Sequence, residues 1–351
     1  MVVEIINGQP WKQQYAFNET QSGDVTGWSN TTALPAARMS GQAIVTQDRA
    51  FFIGGYVTPV IYTAPLNIDG TLGSWTTATE LPIGIGESQA VLTKNRIYLI
   101  GGYVTGGHYT ASIYTAPINP DGTIGAWETA GVLPAALGQH QVIVTKSRVY
   151  SLGGYNGGFL ANVYTAPIDE DGLIGAWSAD ASLPGGAAGS QAVVTGGQVY
   201  LLGGNSPGGA IATVYTAPID LDGIIGAWST GTSLPGGRSF AQAVVVKGRV
   251  YLFGGKPVGD NHTAGVYTAP LGETGIIGTW ATGTSLASAK GDSTAIVTSS
   301  KVYLVGGSVG GSAVDNVQVA SFAGGFNDYM DLSYIIPTFW TNFSGQTEIL
   351  E

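Results

Sequence analysis

The chain has 351 residues, of which 44% are hydrophobic, 10% are charged and 55 are glycine. That composition allows a sizeable core, excludes wholesale disorder, and favours many short strands over helices. Thirteen basic residues stand against 23 acidic ones, for a net charge of −10, and there is no cysteine; nucleic acid and anionic membrane are therefore excluded as main partners, as are disulfides, thiolate metal sites and cysteine nucleophiles.

No apolar run reaches the roughly 18 residues of a spanning helix, so no membrane insertion is expected. The opening MVVEIINGQP lacks the basic, apolar and cleavage regions of a signal peptide. Three settings fit: a cytoplasmic protein, a virion or cell-surface component, or a domain separated from its leader.

In chain order, residues 2–35 carry a strand-like VVEIING, then Tyr15 and, 13 residues later, Trp28. From Gln42 the same grammar repeats in full. A short strand a (QAVVT type) leads to an apolar strand b ending in Gly-Gly. Strand c (VYTAPI) then turns at DxDG into strand d, which carries the tryptophan. The tryptophans Trp28, Trp75, Trp127, Trp177, Trp228 and Trp280 advance by 47, 52, 50, 51 and 52 residues, and the Gly-Gly pairs beginning at Gly54 advance by the same steps. Tyr to Trp is fixed at 13 and Trp to the next Gly pair at 26. All length variation falls between Gly-Gly and the next strand c, as in YVTPVI (56–61) and YVTGGHYTASI (103–113). Insertions confined to one connection map to one face of a repeat array.

The Gly-Gly pair, the Tyr and the Trp, repeated at about fifty residues over essentially the whole chain, resemble kelch repeats. The Tyr-to-Trp interval is longer than usual and implies an extended outer hairpin. The resemblance implies a β-propeller with strand a innermost. The expected fold is all-β, a single seven-bladed propeller over 1–351 with four-stranded blades. Six blades span about 42–337, the last degenerate. Residues 2–35 would supply strands b, c and d of a closing blade, and 344–351, which echo residues 40–47, its strand a.

The repeated aromatics and glycines read as frame, since each blade must bury its faces on its neighbours. The DxDG turns at Asp169 and Asp220 read as Asx-stabilised hairpins rather than calcium loops, because two sister turns, NPDG and GETG, drop ligands. No metal or cofactor is expected. Gln42, Gln89, Gln141, Gln191, Gln242 and Gln346 begin strand a and form a candidate ring of amides at the channel mouth, either a hydrogen-bond belt or a ligand contact.

In a kelch-type propeller the b–c and d–a loops emerge on one face. That face gathers Tyr56, Tyr103, His108, Tyr109, Tyr155, Phe159, Arg238, Phe240 and Asn261 as candidate ligand-binding residues, with Arg38, Glu87, His140, Asp260, His262, Lys290 and Asp292 nearby. Aromatics interleaved with amides suit stacking on a sugar ring or contact with a peptide. The expected function is a non-catalytic module binding a glycan or protein ligand. Two alternatives stand: a sugar isomerase or mutarotase-like enzyme using Glu87, His140 and Arg238 on the same face, and a structural ring in a surface or virion assembly. Galactose oxidase, also of this fold, is excluded by the missing cysteine and the presence of only three histidines.

Overall fold

The computed structural model describes residues 25–322 except Gln47 and Asp260. The described chain is all-β and builds six four-stranded antiparallel sheets in a propeller-like arrangement. The first sheet takes Gln42–Val45, Arg49–Ile53, Ile61–Pro65 and Thr76–Thr77 as strands a to d. The second is Gln89–Leu92, Arg96–Ile100, Ser112–Pro117 and Glu128–Val132. The third is Gln141–Val144, Arg148–Leu152, Val163–Pro167 and Ser178–Asp180. The fourth is Gln191–Thr195, Gln198–Leu202, Val214–Pro218 and Ser229–Thr230. The fifth is Gln242–Val246, Arg249–Phe253, Val266–Pro270 and Ala281–Thr282. Strand b is apolar without alternation because it is central in its own sheet and covered on both faces by neighbouring sheets.

The sixth sheet departs from the expected closure. Thr294–Val297, Lys301–Val305 and Val317–Phe322 supply a, b and c, and the fourth strand is Val25–Thr31, which pairs antiparallel with strand c from Val25↔Phe322 to Thr31↔Val317. The strand carrying Trp28 therefore belongs to the sixth sheet and not to a seventh. The remaining parts of the expected seventh blade, residues 2–24 and 344–351, lie outside the described residues.

The physical reason lies in the cores. One buried cluster fills each junction between successive sheets, and each contains the tryptophan of the later sheet: Trp127 between the first and second, Trp177 between the second and third, and so on round the molecule. The sixth module has no tryptophan 13 residues beyond its strand-c position, Gln318. Trp28 fills that slot between the fifth and sixth sheets, edge-on to Phe253 with ring centroids 5.1 Å apart. The sixth and first sheets meet over Trp75, Ile296 and Tyr303. The six innermost strands correspondingly adjoin one another in a cycle.

The hairpins between strands c and d act as latches under the preceding sheet. Thr145 Oγ1 donates to Gly223 O at 2.7 Å, Thr195 Oγ1 to Gly275 O at 3.0 Å, and Thr298 Oγ1 to Gly70 O at 2.8 Å. Within the turns, Asp169 Oδ1 accepts the N–H groups of Asp171 and Leu173, and Asp220 Oδ1 those of Asp222 and Ile224, at 2.8–3.0 Å. These are Asx turns, with the carboxylate satisfying its own loop.

Replacing Trp28 by Ala removes the ring that fills the junction of the fifth and sixth sheets. The expected loss is about 3–5 kcal/mol, comparable to that of Trp75→Ala, in guanidinium unfolding curves. A Trp28→Ala loss below about 1 kcal/mol would contradict this seam.

Candidate functional site

Two residues before each strand a, the chain turns through a left-handed residue: Ser40, Glu87, Gln139, Gly189, Phe240 and Asp292, with φ between 50° and 60°. Five of these are not glycine, and left-handed backbone is costly for a residue with a Cβ. A closed ring of backbone hydrogen bonds holds them there. Each N–H donates to the carbonyl of the equivalent residue in the preceding sheet: Glu87 to Ser40, Gln139 to Glu87, Gly189 to Gln139, Phe240 to Gly189, Asp292 to Phe240 and Ser40 to Asp292, at 2.7–3.0 Å. These residues rim a small cavity of about 60 Å³, lined by segments of all six sheets. That is room for a few waters or one small polar group.

Beneath the ring lies the amide belt. Gln42, Gln141, Gln191 and Gln242 each accept, through Oε1, the backbone N–H one residue beyond the start of the next strand a, at 3.1–3.4 Å. Thr294 Oγ1 does the same for Ala43 at 3.1 Å. Each of these glutamines, and Gln89, donates Nε2 to the carbonyl just before it, at 3.0–3.2 Å. The belt ties innermost strands together, so these amides are committed to the frame. Gln346 lies outside the described residues.

On the loop face, four of the expected aromatics form a continuous row. Tyr103 meets Tyr109 edge-to-face at 5.1 Å, Tyr109 meets Tyr155 at 5.9 Å, and Tyr155 meets Phe159 at 5.2 Å. The rings are partly exposed. Tyr109 reaches this position because residue 138 is glycine, where a Cβ would stand 2.9 Å from its ring. The second ring of the row reaches the mouth, where Tyr109 OH donates to Glu87 Oε2 at 3.3 Å and Gln139 Nε2 donates to the same oxygen at 3.0 Å. Burial pushes the Glu87 carboxyl above its ordinary value, the two hydrogen bonds pull it down, and the charge of Asp292 pushes it further up. Burial and Glu87 together hold the Tyr109 hydroxyl protonated, as a donor.

The other candidates scatter. Tyr56 is 60% exposed on the shortest b–c loop, and His108 and Asn261 are exposed loop residues. Phe240 lies in the mouth with its ring over Gly189, where a Cβ would stand 2.6 Å away. Arg238 does not face the rim: it is buried, with its guanidinium carbon 4.5 Å from the centroid of the Tyr267 ring. Arg38 repeats this on Tyr62. In the sixth sheet Lys290 and Gln318 replace the Arg–Tyr pair, and the Lys290 ammonium donates to Leu304 O and Asn316 O at 3.3 and 2.9 Å. Burial lowers its pKa to about 7.

His140 is fully buried between sheets, and neither ring nitrogen has a partner among the described residues. The proposed acid–base set of Glu87, His140 and Arg238 is therefore dispersed, with only Glu87 rimming the mouth. Sequence reasoning missed Ser40 and Gln139, although both occupy the position two before strand a in their modules. It also missed a cluster two places round the ring from Glu87, where Ser308 Oγ donates to Asp292 Oδ2 at 3.0 Å and His262 Nε2 lies 3.5 Å from that oxygen. Ser308 and Asp292 both approach the same ring nitrogen, Nε2. This differs from a nucleophile–base–orienter relay, in which the acid holds the opposite nitrogen.

No protein-family model matches the chain, and no curated protein matches it. Among solved structures it is similar to one described as "Structure of YjhT", with a TM-score of 0.65 at 16% identity, over 81% of this chain and 95% of that one. The likeness is one of fold.

Two outcomes follow from the site. Gly138→Ala pushes Tyr109 off the row and is expected to lower the tyrosine near-ultraviolet circular dichroism with little change in far-ultraviolet signal. Burial depresses the His140 pKa from 6.5 to about 3, so the unfolded chain takes up the proton first. The stability held by the neutral ring is full above about pH 6.5 and lost as pH falls toward 3. His140→Ser, the residue type at Ser88, Ser190 and Ser293, is expected to flatten the slope of unfolding free energy against pH across that window, read by denaturant titration.

Proposed function

We propose that the protein is a closed six-bladed β-propeller of kelch-like type serving as a carbohydrate-binding module. Its ligand lies on the face of the b–c and d–a loops. The observation that carries this reading is the row Tyr103–Tyr109–Tyr155–Phe159, whose Tyr109 is bonded to Glu87. Partly exposed, mutually braced rings offer the C–H face of a pyranose a platform at low entropic cost. The carboxylate and amide beside Tyr109 give its polar groups hydrogen-bonding partners along the row. The stretch of the row, three successive ring spacings of 5–6 Å, matches an oligosaccharide better than a monosaccharide.

Tyr155→Ala removes a ring from the middle of the row, and Tyr103→Ala one from its far side. On an oligosaccharide array the wild-type protein is expected to give discrete hits. Tyr155→Ala should lose about 1–3 kcal/mol of binding on those hits, and the double variant should be silent. Unchanged array signals from a folded double variant would sink the glycan reading.

A further inference from the structure

Resting on the carbohydrate reading, we infer that the channel mouth binds a protonated primary amine, so that the preferred ligand is an amino sugar with its nitrogen free rather than acetylated. The inference is built from what the mouth has left to offer. The N–H and C=O groups of the six left-handed residues are consumed in the backbone ring. The glutamine amides beneath are consumed in the belt. What remains at the rim is the Ser40 side chain, the Phe240 ring and the other side-chain oxygens of Glu87, Gln139 and Asp292, since Glu87 Oε2 takes Tyr109 and Gln139 and Asp292 Oδ2 takes Ser308, with a gap at Gly189.

Two of these are carboxylates, the charge of Asp292 lying close enough to Glu87 to raise the proton affinity of Glu87, and no residue lining the cavity is Lys or Arg. The nearby cations are turned elsewhere: Arg38 and Arg238 lie over tyrosine rings, and Lys290 is bonded to carbonyls within the sixth sheet. The His140 imidazole, buried between sheets, is kept neutral by burial. His262 Nε2 lies 3.5 Å from Asp292 Oδ2. Among the described residues the mouth thus has two carboxylates and no Lys or Arg.

An ammonium group answers each of these features. It has three N–H donors for carboxylate and hydroxyl acceptors, and a positive charge suited to the face of an aromatic ring such as Phe240. A cavity of about 60 Å³ admits that group but not a whole pyranose, so the sugar ring stays outside, on Tyr109 and Tyr155. An acetamido group is neutral and bulkier and loses the charge-assisted bonds. A sugar acid meets like charge.

The test compares chitosan tetraose with its fully N-acetylated counterpart by isothermal titration calorimetry near neutral pH. These oligomers share the same ring faces and differ in the free amine. The deacetylated oligomer is expected to bind at least about tenfold tighter, with an advantage that shrinks as salt is raised. Glu87→Gln, which keeps an acceptor for Tyr109, and Asp292→Asn should each erase most of that preference. Tyr155→Ala should weaken both oligomers alike. Equal affinities, no binding of either oligomer, or a preference untouched by both carboxamide variants would overturn the amine assignment. Equal affinities that Tyr155→Ala still lowers would leave the glycan reading standing. Tight binding of calcium chloride alone, abolished by the same variants, would assign the carboxylates to a metal and overturn the inference.

Discussion

The backbone ring at the channel mouth is the constraint on which the site depends. Six residues accept a left-handed conformation, five of them at a cost of roughly 1–2 kcal/mol each, because every N–H and carbonyl in the ring is then paired with its neighbour's. The ring closes only if every sheet is present and in register, which makes it both product and guarantor of the circular arrangement. It also fixes where side chains emerge while leaving their identity open. Serine, glutamate, glutamine, glycine, phenylalanine and aspartate occupy equivalent places at one mouth, so a symmetric scaffold presents an asymmetric surface.

Outside the ring, the same division of labour recurs at larger radius. The tryptophan of each sheet fills the junction with its predecessor, and the hairpin between strands c and d latches beneath it. These parts repeat because the junctions they fill repeat. The b–c loops answer to no such requirement. They hold short hairpins of their own, as at Tyr103–Val104 with His108–Tyr109, and can place a ring wherever a glycine across the way leaves room. Gly138 and Gly189 act in this way toward Tyr109 and Phe240.

Much of the frame was legible in the sequence because intervals encode it. A constant 13 from Tyr to Trp fixes the outer hairpin, and the Gly-Gly period marks the end of strand b. The assignment of Trp28 was not legible by the same rule. Its spacing from Tyr15 matches a local hairpin, while its burial is decided by an empty slot some 290 residues away, and pattern carries no record of which slot is empty. The glutamines at the head of strand a were recognisable as a set, but only their bond partners distinguish belt from ligand contact. Arg238 looked like a rim residue because its loop is on the rim. Its side chain follows the Tyr267 ring inward, a choice made by packing. The Asp292, His262 and Ser308 cluster joins residues from two sheets and leaves no trace in spacing.

The pairing of Val25–Thr31 with Val317–Phe322 has a mechanical consequence. The two strands are antiparallel, and Val25 faces Phe322 at the end where chain leaves in both directions. Tension applied through residues 25 and 322 therefore loads that seam in a peeling geometry. It breaks backbone pairs in succession from Val25↔Phe322 rather than shearing them all at once. Every other sheet has its c and d strands joined by a covalent turn. Under pull from its ends the ring thus has one designated fastener, opened pair by pair before any other sheet bears the load.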